Sequence, residues 1–115
     1  MKILLVDDEK AIVENIAAFL YQKGYEVDKA YDGLAAWELI KRNEYGLVFL
    51  DFNMPELTGL EVVKLIKKNN LPVKTAMITS YEDMRESLAK RIGTDEYLVK
   101  PYKLEDIEAI VKKYA

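Results

Sequence analysis

Two hydrophobic rhythms alternate along the chain. Ile3 to Val6 is a short apolar run that stops at Asp7-Asp8, and it reads as a buried strand. From Glu9 to Lys23, Ile12, Ile16, Phe19 and Leu20 recur at helical spacing, and Gly24 stands where a helix C-terminal glycine is expected. Tyr25 to Ala30 alternates apolar and polar positions like a half-exposed strand. Asp32-Gly33 predicts a turn, followed by a helix carrying Leu34, Trp37, Leu39 and Ile40. Leu47 to Leu50 is fully apolar and ends at Asp51. A loop, Phe52 to Thr58, leads to a helix over about Gly59 to Lys68. Val73 to Ile78 reads as a fourth strand. Glu82 to Arg91 reads as a helix, with Ser80-x-x-Asp83 as its N-terminal cap. Tyr97-Leu98-Val99 is a short strand stopped by Lys100-Pro101, and a last helix from Leu104 to Tyr114 turns Leu104, Ile107 and Val111 inward.

Alternating strands and helices predict an α/β fold, a (βα)5 unit with a doubly wound parallel sheet and helices on both faces. The apolar strands, the first, third and fourth, belong inside the sheet. The alternating second and the short fifth belong at its edges. The strand order that fits is 2-1-3-4-5, the flavodoxin-like topology. The 115 residues are expected to form a single domain spanning 1–115.

Composition narrows the chemistry. There is no cysteine and no histidine. That excludes a disulfide framework, thiolate or imidazole metal ligation, a cysteine nucleophile and a Ser-His-Asp triad. Reactions must run on carboxylates, lysines, hydroxyls and backbone. The net charge is −3 with lysines and acids interspersed, so no basic stripe for nucleic acid is present. The apolar runs are too short to span a membrane. With Met1-Lys2-Ile3 opening directly into a strand and no signal peptide, the expected compartment is the cytoplasm.

In doubly wound sheets, ligands bind at the carboxyl ends of the strands, near the point where strand order reverses. Those ends carry Asp7-Asp8, Asp51, Thr79-Ser80 and Lys100. Three neighbouring carboxylates raise one another's pKa and cost stability. A divalent cation removes that cost, and hard oxygen donors of this kind suit Mg²⁺. Three Asp and one Lys sum to −2, which Mg²⁺ brings to zero. A cation and a lysine beside a carboxylate nucleophile suit phosphoryl transfer onto Asp. The phosphoryl donor must come from outside.

These residues resemble the receiver domain of bacterial two-component response regulators, and a chemotaxis-regulator-like member in particular. The resemblance covers essentially the whole chain. It rests on Leu5-Val6-Asp7-Asp8-Glu9, on Asp51-Phe52-Asn53-Met54-Pro55 followed by Gly59, on Thr79, and on Tyr97-Leu98-Val99-Lys100-Pro101. It implies that Asp51 is the phosphoacceptor, and that Asp7, Asp8, Asp51 and the backbone carbonyl of Asn53 hold Mg²⁺. Lys100 would pair with Asp51 and later with the phosphoryl group, to which Thr79 would donate a hydrogen bond. Tyr97 would be the switch aromatic, and the Lys100-Pro101 bond would be cis. Asn53 and Tyr81 would tune loss of the phosphoryl group, with Tyr81 shielding it.

The same resemblance implies a phosphorylation-operated switch that catalyses its own phosphorylation and dephosphorylation without being a conventional enzyme. Its partners would be a sensor histidine kinase or histidine phosphotransfer protein and a downstream protein target. Direct nucleic-acid and membrane binding are not expected, and a phosphorylation-linked homodimer is compatible with the reading. The uncharged stripe Ala11, Asn15, Ala18 and Gln22 on the first helix is a kinase-docking candidate by the same resemblance, although alanine in a helix needs no such reason. The start at Met1 and the clean end favour a stand-alone regulator over a receiver cut from a longer regulator or hybrid kinase. Tyr102 stands where the family most often has Phe. Thr94 and Ser80 stand where it commonly has a small residue.

Simpler readings exist for each group. Asp7 or Asp8 could cap the first helix, Lys100 could be a solvated lysine, and Thr79 an ordinary strand residue. A receiver-like interaction module that is never phosphorylated is the main rival. A flavin carrier would want a glycine- and hydroxyl-rich loop where Asp7-Asp8-Glu9 stands. A stand-alone aspartyl phosphatase would want an acid two residues after the nucleophile, where Asn53 stands.

Overall fold

The computed structural model describes residues 1–52, 54, 56–80 and 91–115. The expected helix over Glu82 to Arg91 and its Asp83 cap therefore lie almost wholly outside the described residues, as do Asn53 and Tyr81.

Five strands, β1 (Lys2–Val6), β2 (Glu26–Ala30), β3 (Leu47–Asp51), β4 (Lys74–Thr79) and β5 (Glu96–Val99), form one sheet in the order β2-β1-β3-β4-β5. Every pairing is parallel. Helices α1 (Lys10–Gln22), α2 (Gly33–Arg42), α3 (Gly59–Lys68) and a C-terminal helix (Leu104–Tyr114) complete the described elements. The expected strand order holds. Strand order reverses between the sheet neighbours β1 and β3, because the chain leaves β1 to place β2 on one side of it and then crosses back to place β3 on the other.

Strand side chains alternate between two cores, because successive Cβ atoms point to opposite faces. Ile3, Leu5, Val27, Leu47, Phe49, Ala76 and Ile78 pack with Val13, Ile16, Ala17 and Leu20 of α1 and with Ile107, Ile110 and Val111 of the C-terminal helix. Leu4, Val6, Val48, Leu50 and Met77 pack on the other side with Ala36 and Ile40 of α2 and with Val62, Val63 and Ile66 of α3. Each large aliphatic side chain buried this way contributes about 1.5–3 kcal/mol before entropy is charged against it. β3 is buried at all five positions: Leu47 to Leu50 as their apolar run requires, and Asp51 at its end.

Helix ends carry local signals. The Asp32 side chain accepts from the Ala35 N–H at 2.7 Å and caps α2, so the expected turn at Asp32-Gly33 is a helix start. Thr58 and Glu61 form a reciprocal capping box on α3. Lys41 and Arg42, Lys67 and Lys68, and Lys112 and Lys113 sit in last turns, complementing the helix dipole. On α2 the inward face is Gly33, Ala36 and Ile40, and Leu34 is 52 % exposed. Reading Leu34 as part of the apolar stripe follows residue type, whereas helical spacing turns Gly33, Ala36 and Ile40 inward. No described helix is long and apolar enough to cross a membrane.

Candidate functional site

The sheet order brings β1, β3, β4 and β5 side by side, so their carboxyl ends form one rim. Asp7 and Asp8 follow β1, Asp51 is the last residue of β3, Thr79 is the last of β4, and Lys100 follows β5. Parallel register levels these ends: Asp51 pairs with Ile78, and Thr79 with Val99.

Asp7, Asp8 and Asp51 each offer a carboxylate oxygen, and these atoms lie within 4.8 Å of one another. Asp7 and Asp51 are buried and Asp8 is exposed, so the cluster opens to solvent along one side. Lys100 Nζ lies 3.5 Å from Asp51 Oδ1. The lysine is held there by its backbone, whose N–H donates to the Thr79 carbonyl at 2.7 Å.

Asp7 is a strongly perturbed carboxyl at the rim. Its Oδ1 accepts the Glu9 N–H at 2.9 Å, a local turn bond of the kind Asp favours. Its Oδ2 is buried and has no hydrogen-bond partner among the described residues. Burial pushes its pKa up from 3.8 to about 6. The neighbouring Asp51 charge and the Asp8 side chain add to the rise, while the Glu9 N–H and the Lys100 ammonium oppose it. The capping alternative for Asp7 is thereby answered in part. Glu9, not an Asp, occupies the α1 N-cap, and it makes no side-chain cap.

The donor set fits a hard divalent cation. Three closely spaced carboxylate oxygens, one residue bearing an orphaned buried oxygen, are costly alone and suited to Mg²⁺. Asn53, expected to add its carbonyl, and Tyr81, expected to shield the phosphoryl group, lie outside the described residues. Thr79 is buried at the rim. Tyr97 is half-buried and packs on the α2/α3 side of the sheet. The Lys100-Pro101 bond is cis.

Tyr102, noticed in the sequence only as a departure from Phe, belongs to the surroundings of the site. It is half-buried against the α1 side of the core. Its phenol is pushed up to about 12, by burial first and then by the charges of Asp7, Asp51 and Glu9. Together with Ile12, Asn15, Ile16, Lys100 and Leu104 it lines a cavity of about 390 Å³ between α1 and the C-terminal helix. The other two departures are quiet. Ser80 is exposed. The buried Thr94 hydroxyl lies 3.0 Å from the Thr75 carbonyl and 2.9 Å from that of Glu96, at the end of β4 and β5 remote from the rim.

Comparison with known proteins agrees with this geometry. The family model described as response regulator receiver domain matches residues 3–112. The transcriptional regulatory protein TctD of Salmonella typhimurium is 36% identical over 114 residues, covering 95% of this chain and 49% of its own. The response regulator MprA of Mycobacterium leprae is 34% identical over 113 residues, covering 97% of this chain and 50% of its own. This chain thus spans about half the length of the curated relatives it matches. Among solved structures, the response regulator protein TrrA of Thermotoga maritima, in complex with Mg²⁺ and BeF, superposes with a TM-score of 0.87 at 37% identity, covering 99% of this chain and 98% of that one. The chemotaxis response regulator CheY4 of Vibrio cholerae gives a TM-score of 0.89 at 28% identity, with coverage of 99% and 98%.

Proposed function

Because the chain belongs to the response regulator receiver domain family, we propose that it is a signalling switch operated by phosphorylation of Asp51. The observation that carries this reading is the placement of the Asp51 carboxylate, which shares a 4.8 Å cluster with Asp7 and Asp8 and lies 3.5 Å from the Lys100 ammonium. A histidine kinase or histidine phosphotransfer protein presents the donor. An Asp51 oxygen attacks phosphorus, the O–P bond forms, the N–P bond of phosphohistidine breaks, and the imidazole leaves and takes up a proton. Asp7, Asp8 and Asp51, with the Asn53 carbonyl, would hold Mg²⁺, which supplies charge neutralisation at the transferring oxygens. Lys100 moves its ammonium contact from the carboxylate to the phosphoryl group, and Thr79 adds a hydroxyl donor.

The new charge is read out as a shift between two arrangements. Thr79 and Tyr97 are the switch pair, and the segment 82–91, β5 and the C-terminal helix are the surface they bias. Water later hydrolyses the aspartyl phosphate, at a rate tuned by Asn53 and Tyr81. The donor protein is proposed to dock on α1, whose Ala11, Asn15, Ala18 and Gln22 are all exposed, beside the groove lined by Tyr102. The output is a contact with a downstream protein, made by a stand-alone cytoplasmic regulator.

The length of the curated relatives favours a second reading, in which the chain is the receiver portion of a longer regulator. The mass of the natural protein in its cells separates the two. The phosphorylation itself is tested by incubating the protein with Mg²⁺ and a small acyl phosphate and measuring intact mass. One added phosphoryl group on wild type and none on Asp51→Asn is expected. Equal addition to both, or none to either, would favour an interaction module that is never phosphorylated.

A further inference from the structure

The turn between β3 and α3 carries the residues that follow Asp51, and its backbone at Glu56 is held in a costly shape. Glu56 lies at φ 68°, in the left-handed region that residues with a side chain seldom take. Such a conformation persists where its surroundings over-determine it. Within the turn, the Phe52 N–H donates to the Ile78 carbonyl at 2.7 Å, Met54 is buried, and Thr58 closes its capping box with Glu61. A Cβ at Gly59 would strike the Asp51 carbonyl oxygen.

One more hold comes from outside the turn. Gly33 is the first residue of α2 and is buried. A Cβ placed there would fall on the Leu57 carbonyl oxygen, with the carbonyl carbon at 2.6 Å and the Leu57 Cβ at 2.8 Å. The obstacle is backbone, so no change of rotamer relieves it. Glycine is a poor helix former, and this close approach is the physical reason for it at the start of α2. The helix rests on the turn through a missing side chain.

We propose that Gly33 is a positioning residue for phosphoryl acceptance: by letting the Leu57 peptide seat against α2, it sets the turn that follows Asp51. The inference rests on Asp51 being the phosphoacceptor. Gly33 is not a member of the carboxylate cluster and acts through the Leu57 peptide. A methyl group at position 33 forces the Leu57 peptide or the helix to move. Either movement disturbs the alignment that in-line attack requires.

The test compares wild type, Gly33→Ala and Ile40→Val. Ile40 is a buried core residue further along the same helix, so its truncation controls for lost stability alone. All three are measured at a temperature where circular dichroism shows them folded. Amide hydrogen exchange, Mg²⁺ affinity by calorimetry, and phosphorylation rate with a small acyl phosphate at saturating Mg²⁺ are recorded. Gly33→Ala is expected to speed exchange at the Phe52 and Gly59 amides, weaken Mg²⁺ binding and slow phosphorylation about tenfold or more, with Ile40→Val close to wild type in all three. Phosphorylation of Gly33→Ala at the wild-type rate, or slowed no more than Ile40→Val, overturns the proposal. If Gly33→Ala does not fold, the double variant Gly33→Ala/Leu57→Gly removes the Leu57 Cβ and lets its peptide turn aside. A folded, slowly phosphorylated double variant supports positioning, and failure of both to fold makes the contact purely structural and overturns it. A wild type that takes no phosphoryl group refutes the Asp51 reading instead, a result distinct from any difference between variants.

Discussion

Lys100 and Asp51 are separated by 49 positions in the chain, yet the lysine ammonium stands 3.5 Å from the carboxylate. The lysine side chain is 28 % exposed and that of Asp51 is 9 % exposed. An ion pair this long and partly solvated contributes little to stability, about 1 kcal/mol or less. Its value lies in charge placement. Lys100→Met should unfold within about 1 kcal/mol of wild type while accepting a phosphoryl group from a small acyl phosphate about 10–1,000-fold more slowly. Denaturant titration and a phosphorylation time course check both halves. Equal rates would remove Lys100 from the transfer.

Asp7 makes the metal-free protein sensitive to pH in an unusual direction. Its folded pKa is near 6, above its ordinary 3.8, so between those values the folded state binds more protons than the unfolded chain. Stability from this group is present below about pH 4, falls as pH rises through 6, and does not return above it. Two units correspond to about 3 kcal/mol at most. Asp7→Asn should therefore stabilise the metal-free protein at pH 7 by about 1–3 kcal/mol, and the gain should shrink as pH falls below about 6 and vanish near 4. Thermal unfolding across pH 4–8 in a chelator measures it.

The same carboxyl links Mg²⁺ to protons. A cation bound at Asp7 competes with the proton held there, so Mg²⁺ affinity should fall as pH drops below about 6. Calorimetry in buffers of different ionisation enthalpy should show proton release on binding at pH 6, and much less at pH 8. Binding that does not change over this range would place the ion away from Asp7.

Thr94 offers a contrast remote from the rim. Its buried hydroxyl has the Thr75 and Glu96 carbonyls within reach, while the Asp95 side chain accepts the Thr75 N–H at 2.9 Å. Thr94→Val keeps the shape and removes the hydroxyl. It should cost about 1–2 kcal/mol of stability and leave the phosphorylation rate of the folded protein unchanged.

Tyr81 bears on the lifetime of the signal. A bulky side chain two residues after Thr79 is proposed to shield the aspartyl phosphate, so Tyr81→Ala should lose its phosphoryl group faster than wild type. The decay of phosphorylated protein after donor removal is the measurement, and an unchanged or slower decay counts against shielding.

Much of this molecule is legible in the order of its residues. Apolar runs that stop at Asp7-Asp8, Asp51 and Lys100 give both the strands and the ends that bear the polar groups, because a parallel strand is buried on both faces and its chemistry can emerge only where it leaves the sheet. The strand order followed from which runs were apolar and which alternated. Other features were not legible. Of the apolar residues expected on α2, Ile40 is buried and Leu34 is exposed, because helical periodicity turns Gly33, Ala36 and Ile40 inward together and Leu34 away from them. Tyr102 was visible as a substitution, yet nothing local announced that its phenol would feel the charges of Asp7, Asp51 and Glu9.

The residue types and their periodicity determined on their own which chemistry is open to this chain: carboxylates, a lysine and hydroxyls at strand ends, with no thiol or imidazole. Tertiary structure alone decided how those groups differ from one another. Burial is a property of the packed molecule, so it took the fold to leave one oxygen of Asp7 without a hydrogen-bond partner among the described residues while Asp8 stayed in solvent. Close approach is likewise a property of two segments at once, and the meeting of Gly33 with the Leu57 carbonyl cannot be read from either.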